Sequence, residues 1–391
     1  MNKDTPLLEV TIEDNAIVGY GKIFCQELMP LRFLKKFDLQ SLNNWFVKRQ
    51  IPDNREGKDE VQAMFPDAFR NRHFFSLSDQ YWVKYTADDT WAQYNPFTNR
   101  YNDEVGRAFF EPWLVDRERI GLPSPDRTTN GVLRKRWTQD DDGISYLIKA
   151  GSVKFHQEPL SEVLASITLR NLDIIKFVSY ELVIEGMRFC SKCKNFVTQD
   201  TEFIPAADVF MQEPRLKTTS IYDHLINMCA KFKIPGAKEF IDNMIVADRI
   251  LCNDDRHLGN FGFIRSVATG EIYGPAPLFD CGSAYWGTTN DVKKRTSKLF
   301  SDKEAELMDK AAKRNMVTKG RSTPQMTKLI KMYPDITDTK KEEILTMIQE
   351  RDLEIEQMSG NKLNERDKEE DKKFGAKISH PSGKNEVIIE F

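Results

Sequence analysis

Cysteine is scarce in this chain, six in 391 residues, and that excludes a disulfide-stapled scaffold. Cys190-Ser-Lys-Cys193 is the one close pair. No second Cys or His pair at ligand spacing accompanies it, and its neighbours read as extended, so neither zinc nor redox chemistry is indicated. No apolar run approaches the roughly 18 residues that cross a bilayer. The start, Met1-Asn-Lys-Asp-Thr-Pro6, has no apolar core of a secretion signal. Charge of one sign is missing as well: a net charge of −3 gives no reason to expect wholesale nucleic-acid binding. Neither a multiple-glycine nor a Walker phosphate loop is present. What these absences leave is a soluble, cytoplasmic, globular protein, 40% hydrophobic and 30% charged, with room for two or three domains.

Against them stands Ile250-Leu-Cys-Asn-Asp-Asp-Arg-His-Leu-Gly-Asn-Phe-Gly-Phe263, followed by Leu278-Phe-Asp-Cys-Gly282. Five helical steps of about 100° would leave Asp255 and Asn260 roughly 140° apart, so the pair suits a loop. Phosphoryl transfer uses such a loop: one carboxylate orients a hydroxyl and accepts its proton, while an amide and a second carboxylate hold magnesium. Asp255 is the expected base, with Asp254 as its rival, and Asn260 and Asp280 are the expected metal ligands. Any one acid alone reads as a cap or a turn; their order together with His257 and Gly259 argues for the site.

Lys149 closes an apolar strand, where a lysine can pair with nucleotide phosphates if a helix glutamate holds it. Glu162 is the expected partner and Glu158 the reserve. Thr128-Thr-Asn-Gly131 could bring backbone N–H groups to the phosphates through Thr128, Thr129 and Gly131, though an ordinary turn explains it as well. Thr201-Glu-Phe-Ile-Pro-Ala206 could serve as a hinge, with Glu202, Phe203 and Ile204 offering backbone groups to adenine and an apolar wall from Phe203 or Ile204.

The organisation fits this order. Residues 1–105 read as an aromatic-rich module in which Leu7–Ile12 alternates like a strand and Leu39–Val47 suits a short helix. Its aromatics, among them Phe74, Phe75, Tyr81, Trp82, Trp91 and Tyr94, read as a small core. Val132–Trp137 and Ile144–Lys149 flank Asp140-Asp-Asp-Gly143, a strong hairpin signal. A helix begins near Glu158-Pro159, with its apolar stripe on Leu160, Val163, Leu164 and Ile167. Ile221–Phe232 and Ala237–Leu251 repeat apolar residues at helical spacing, and short strands surround Ala268-Thr-Gly-Glu271. The expected divisions are 1–105, an N-lobe with hinge over 106–206, a C-lobe over 207–335, and a charged tail over 336–391. In the tail, Lys340–Met358 suits one helix and Asn361–Lys373 a solvated linker; no catalytic role is expected there.

With these elements in place, the chain resembles the HipA-like serine/threonine kinases, toxin-type bacterial and phage kinases whose active site is similar to that of the phosphatidylinositol 3- and 4-kinases. The resemblance rests on Asp255-Arg-His-Leu-Gly-Asn260 and Pro277-Leu-Phe-Asp280, and the Asp-before-His order departs from that of ordinary eukaryotic protein kinases. Thr128-Thr-Asn-Gly131, Lys135-Arg-Trp137, Tyr146-Leu-Ile-Lys149, Gln157–Glu162 and Phe196–Ala206 add to it, over about residues 110–300. It implies an α+β, two-lobed protein-kinase-like fold, with a β-rich N-lobe and a mainly helical C-lobe, behind an extra amino-terminal α/β module. It further implies ATP and magnesium as cofactors and transfer to serine or threonine of a protein substrate. Asp255 carries over as base, Asn260 and Asp280 as magnesium ligands, and Lys149 as the phosphate lysine. Members are often regulated by autophosphorylation of a serine in the phosphate loop; Ser124, just upstream of the candidate loop, is the candidate here. Some act with a small DNA-binding antitoxin; neither nucleic-acid nor membrane contact is expected of this chain itself. Lys293-Lys-Arg295 and Lys310–Arg314 are modest basic stretches that read as solvated surface. A small-molecule or phosphoinositide kinase, and an inactive nucleotide-binding partner protein, are the alternatives.

Overall fold

The computed structural model describes residues 1–285 and 298–359, apart from Lys36, Asn71, Arg72 and Asn315, together with the short pair 377–378 and 389–390. The expected linker Asn361–Lys373 and the basic stretch Lys293–Arg295 lie outside the described residues.

The amino-terminal stretch opens with an antiparallel hairpin, β1 (Leu8–Glu13) and β2 (Ala16–Ile23), packed on α1 (Leu39–Lys48). Asp38 caps α1 with a reciprocal Ser41 contact, which explains why the helix starts where it does. Three short helices follow: α2 (Lys58–Met64), α3 (Trp91–Tyr94) and α4 (Glu104–Ala108). The expected aromatic core forms, with Phe75, Trp82 and Trp91 buried together and Tyr94 against them.

The expected hairpin across Asp140–Gly143 is β3 (Lys135–Gln139) and β4 (Ser145–Ala150), whose register sets Lys135 opposite Lys149. After α5 (Glu158–Leu172) the chain returns as β5 (Tyr180–Glu185) and β6 (Arg188–Lys194), giving an antiparallel sheet in the order β3-β4-β6-β5. Pro159 in the first turn of α5 costs no helical hydrogen bond. Both cysteines of the Cys190/Cys193 pair sit inside β6 as buried free thiols.

A second, three-stranded sheet joins β7 (Thr201–Pro205) to β8 (Gly262–Ser266) and β9 (Ile272–Pro275). Gly262 is needed here, because a Cβ would meet the Ile204 carbonyl oxygen at 2.0 Å. Helices dominate elsewhere: α6 (Ala206–Phe210), α7 (Ile221–Lys231), α8 (Ala237–Ile250), α9 (Ser301–Lys313), α10 (Pro324–Met332) and α11 (Asp338–Ser359). A minimal pair, β10 (Lys377–Ile378) and β11 (Ile389–Glu390), ends the described chain. One large core joins α5 and α7–α11 through residues such as Leu164, Leu225, Met244, Ile250 and Ile330. Among the described residues, no helix is long and apolar enough to cross a membrane. The fold is a mixture of helix and antiparallel sheet.

Candidate active site

The end of β4, the second turn of α5 and the segment after β9 converge on one ion cluster. Lys149 Nζ donates to Glu162 Oε1 at 3.0 Å and to Asp280 Oδ1 at 2.7 Å. Burial alone would lower the lysine's pKa, but Asp280 and Glu162 outweigh it and hold the ammonium well above its ordinary value. The Lys149 ammonium in turn holds Asp280 well below the ordinary carboxylate range. Glu162, only 2% exposed, is pushed upward by burial, and its second oxygen accepts the Cys281 N–H at 2.9 Å. Glu162 is therefore the lysine's partner. The reserve, Glu158, instead accepts the Ser152 N–H at 3.0 Å.

Asp280 adopts a left-handed φ of 60°, a region that Asp and Asn enter more readily than other residues with a Cβ. The Asp280 N–H reaches the Tyr180 hydroxyl at 3.4 Å, and the Tyr180 ring lies 5.6 Å from the Lys149 ammonium.

The Asp255 loop follows α8 through Cys252, also left-handed at φ 52°. Its geometry comes from Arg256, buried to 3% exposure. The guanidinium grips both oxygens of Asp248 on α8 at 2.9 Å, and donates to the Asn260 and Phe279 carbonyls at 2.8 Å each. One side chain thus fixes the Asp255 loop and the Asp280 segment to the same helix. Asn260 Nδ2 donates to the Asp255 carbonyl at 3.2 Å, which leaves its Oδ1 for other partners. Asp255 lies at the surface, but partial burial of its carboxyl raises its pKa, with Asp280 and Asp254 adding to the rise and His257 and Arg256 opposing it. Asp254 is exposed as well.

The donor set Asp280 and Asn260 suits magnesium, which takes one or two protein oxygens and completes its shell with phosphate and water. No cluster of three or more His, Cys, Asp or Glu side chains able to hold a metal occurs among the described residues.

The expected phosphate loop is brought to this cluster by Lys135, which faces Lys149 across the hairpin. Gly131 has φ 103°, a left-handed conformation that favours glycine, and the Lys135 Nζ lies beside it. Burial and the neighbouring Lys149 and Arg55 pull Lys135 down to about 7. The threonine side chains turn elsewhere: the Thr128 hydroxyl bonds the Phe75 and Pro125 carbonyls, and Thr129 the Pro125 carbonyl. Arg55 holds the Thr129 and Gly131 carbonyls. The backbone is engaged as well: the Thr129 N–H donates to the Asp126 carbonyl at 3.2 Å and the Gly131 N–H to the Asn130 side-chain oxygen at 2.7 Å, so the expected use of Thr129 and Gly131 N–H groups for an anion is not what this conformation shows. Ser124 is 2% exposed and caps a short 3-10 turn by accepting the Asp126 N–H at 3.3 Å. That burial counts against the expectation of a phosphorylatable Ser124 in this conformation.

The hinge expectation needs correcting in detail. Glu202 is buried and paired with Arg265, and burial lifts it to about 7. Ile204 is 4% exposed and belongs to the core. The Phe203 N–H is spent on the Ser78 carbonyl at 2.9 Å. What Phe203 does offer is its ring, which meets Phe279 and Phe196 at centroid distances of 5.3 and 5.8 Å. This aromatic trio adjoins Asp280 in the chain through Phe279. Lys135, Phe196, Arg256 and Phe279 lie inside motifs named from the sequence, but spacing gave them no role; Tyr180 carried no sequence signal, and Arg256 stands directly after Asp255. A cavity of about 590 Å³ lies under the β1–β2 hairpin, but its lining shares no residue with the Lys149 cluster.

No protein-family model matches the chain. By sequence it is similar to the serine/threonine-protein kinase CtkA of Helicobacter pylori strain J99, 29% identical over 167 residues, 38% of this chain and 51% of that protein. The match therefore spans about half of that relative's length. Among solved structures, HipA of Shewanella oneidensis MR-1, in its complex with HipB and operator DNA, covers 93% of this chain and 99% of its own at a TM-score of 0.52 and 14% identity. The crystal structure of the H. pylori proinflammatory kinase CtkA covers 61% and 95%, at a TM-score of 0.44 and 18% identity. The likeness to HipA is one of fold.

Proposed function

We propose that this chain, for which homology to a serine/threonine kinase and a fold shared with HipA support the HipA-like kinase family, transfers the γ-phosphoryl group of ATP to serine or threonine of a protein. The observation that carries the reading is the Lys149–Glu162–Asp280 cluster, set beside a base loop that Arg256 ties to it. In this reading β3–β6 with α5 form the small lobe, α7–α11 the helical lobe, and 196–206 the connector.

Bound MgATP would supply the transferable phosphoryl group and the charge neutralisation that lets it leave. Asp280 and Asn260 would hold the magnesium. Lys149, steadied by Glu162, would reach the phosphates, with Lys135 nearby. The Phe196–Phe203–Phe279 wall would take the adenine face. Asp255, exposed beside the cluster, would orient the acceptor hydroxyl and receive its proton. Reduced cysteines and an ATP requirement suit the cytoplasm. A small DNA-binding antitoxin is the partner the reading anticipates, since the HipA neighbour is seen with HipB.

The test is transfer from γ-labelled ATP with magnesium by purified parent, Asp255→Asn and Asp280→Asn proteins. Label on a protein that disappears in both variants supports the reading. Label found only on a small molecule or phosphoinositide would replace the substrate class. MgATP binding without any transfer would make the chain a nucleotide-binding partner, and no binding at all would overturn the proposal.

A further inference from the structure

The carboxy-terminal helix, for which the sequence suggests no catalytic part, ends in the machinery. Arg351 on α11 is 1% exposed. Its Nη1 donates at 3.0 Å to the Ile250 carbonyl and at 3.0 Å to the Tyr285 hydroxyl, and its guanidinium lies 5.3 Å from the Tyr285 ring centroid. Ile250 is the last residue of α8, whose final carbonyls have no helical partner, so a buried cation there meets both the orphan acceptor and the negative helix end. The Asp255 loop begins a few residues on.

Tyr285 belongs to the other loop, five residues beyond Asp280. It is 1% exposed and left-handed at φ 55°. Its N–H donates to the Leu251 carbonyl at 2.8 Å, and its hydroxyl pairs with Thr168 Oγ1 at 2.5 Å. Thr168 is fully buried on α5, the helix that carries Glu162. Arg351 and Tyr285 therefore join four elements from behind: the exit of α8 before the base, the segment after the metal acid, the helix of the lysine's glutamate, and α11. A second tie from α11 strengthens the first, because Glu354 pairs with Arg249 one residue before Ile250.

We propose that Arg351 and Tyr285 are positioning residues through which α11 sets the Asp255 and Asp280 loops against α5 for phosphoryl transfer. This rests on the kinase reading above. Neither side chain touches substrate; each acts on kcat by fixing where Asp255 and Asp280 stand. Reacting groups displaced by about 1 Å can lose on the order of 100-fold in rate, so a loss of tenfold or more in kcat is expected with little change in KM for ATP.

The experiment measures single-turnover transfer and MgATP affinity for the parent, Arg351→Met, Arg351→Lys, Tyr285→Phe and the Arg351→Met/Tyr285→Phe double variant, at a temperature below every melting point. Arg321→Gln, which loses the 2.7 Å contact to Glu356 elsewhere on α11, is the control for ordinary loosening of the helix. The expected result is a tenfold or larger fall in transfer rate for Arg351→Met, a fall for the milder Tyr285→Phe, partial rescue by Arg351→Lys, and a double variant no slower than the worse single one, with nucleotide affinity held and Arg321→Gln at the parent rate. Parent-like rates in Tyr285→Phe and Arg351→Met, or equal losses in Arg321→Gln, overturn the proposal while the kinase reading stands. A parent that transfers no phosphate removes the kinase reading, and this proposal with it.

Discussion

Replacing Lys149 with methionine removes the cation hydrogen-bonded to both Glu162 and Asp280. Breaking a buried pair from one side costs about 3–5 kcal/mol when the other charge is stranded. Two features place this site at the low end. Glu162 keeps the Cys281 N–H at 2.9 Å, and burial already favours its protonated form, so it can take up a proton. The Asp280 side chain is 40% exposed, and water screens its loss. The expected destabilisation is about 3 kcal/mol near neutral pH, nearly all of it from Glu162. Its pH dependence has a definite sign. Glu162 has a folded pKa above its unfolded value, so stability held below the unfolded value is lost as pH rises, and more so without Lys149. Asp280, held low by Lys149 in the parent, stays ionised above the ordinary Asp range and does not contribute to this window. Urea unfolding followed by tryptophan fluorescence should give a deficit that is larger at about pH 8 than at about pH 5. Adding Glu162→Gln, which keeps an oxygen for Cys281 but no charge, should recover more than half of the deficit without restoring transfer. A deficit below about 1 kcal/mol at both pH values, or one independent of pH, would refute the assignment of a buried, mutually dependent pair.

Asp255→Asn should cut transfer by about 10²–10⁴-fold while leaving the unfolding midpoint in place, because the side chain is exposed. Since its pKa is raised, the acid limb of the parent's rate profile should lie above the ordinary Asp value of about 3.9; a limb at or below that value would exclude Asp255 as the titrating base. Arg256→Lys should lose about 3 kcal/mol and most of the transfer rate together, because an ammonium cannot replace a fork that serves Asp248 and two carbonyls; denaturation and rate assays report both. Ser124→Ala should incorporate phosphate as fast as the parent, read by intact mass, given the burial of its hydroxyl; a slower variant would mean that the 3-10 turn opens.

Local chemistry was legible in the sequence because it depends on neighbours along the chain. The Asp140–Gly143 turn fixed the β3–β4 hairpin, Pro159 the start of α5, and the Asp255–Asn260 spacing a loop rather than a helix. The Lys149–Glu162 pair could be read as well, since 13 residues of strand end and helix start separate them. The rest needed tertiary structure. Glu202 and Ile204 look like hinge residues by position, but the packing of residues 76–81 against β7, and of Arg265 beneath it, turns both inward. Thr128 and Thr129, expected to border the phosphates, face Phe75 and Pro125 because of tertiary packing as well. Arg256 and Arg351 resemble any surface arginine in a charged sequence, and only burial against helix-end and loop carbonyls gives them their work. The sequence by itself determined which residue types could carry the chemistry and in what order they come. Contacts across 101 residues, such as Arg351 to Ile250, arise from how helices close on a shared core, and no local spacing encodes that.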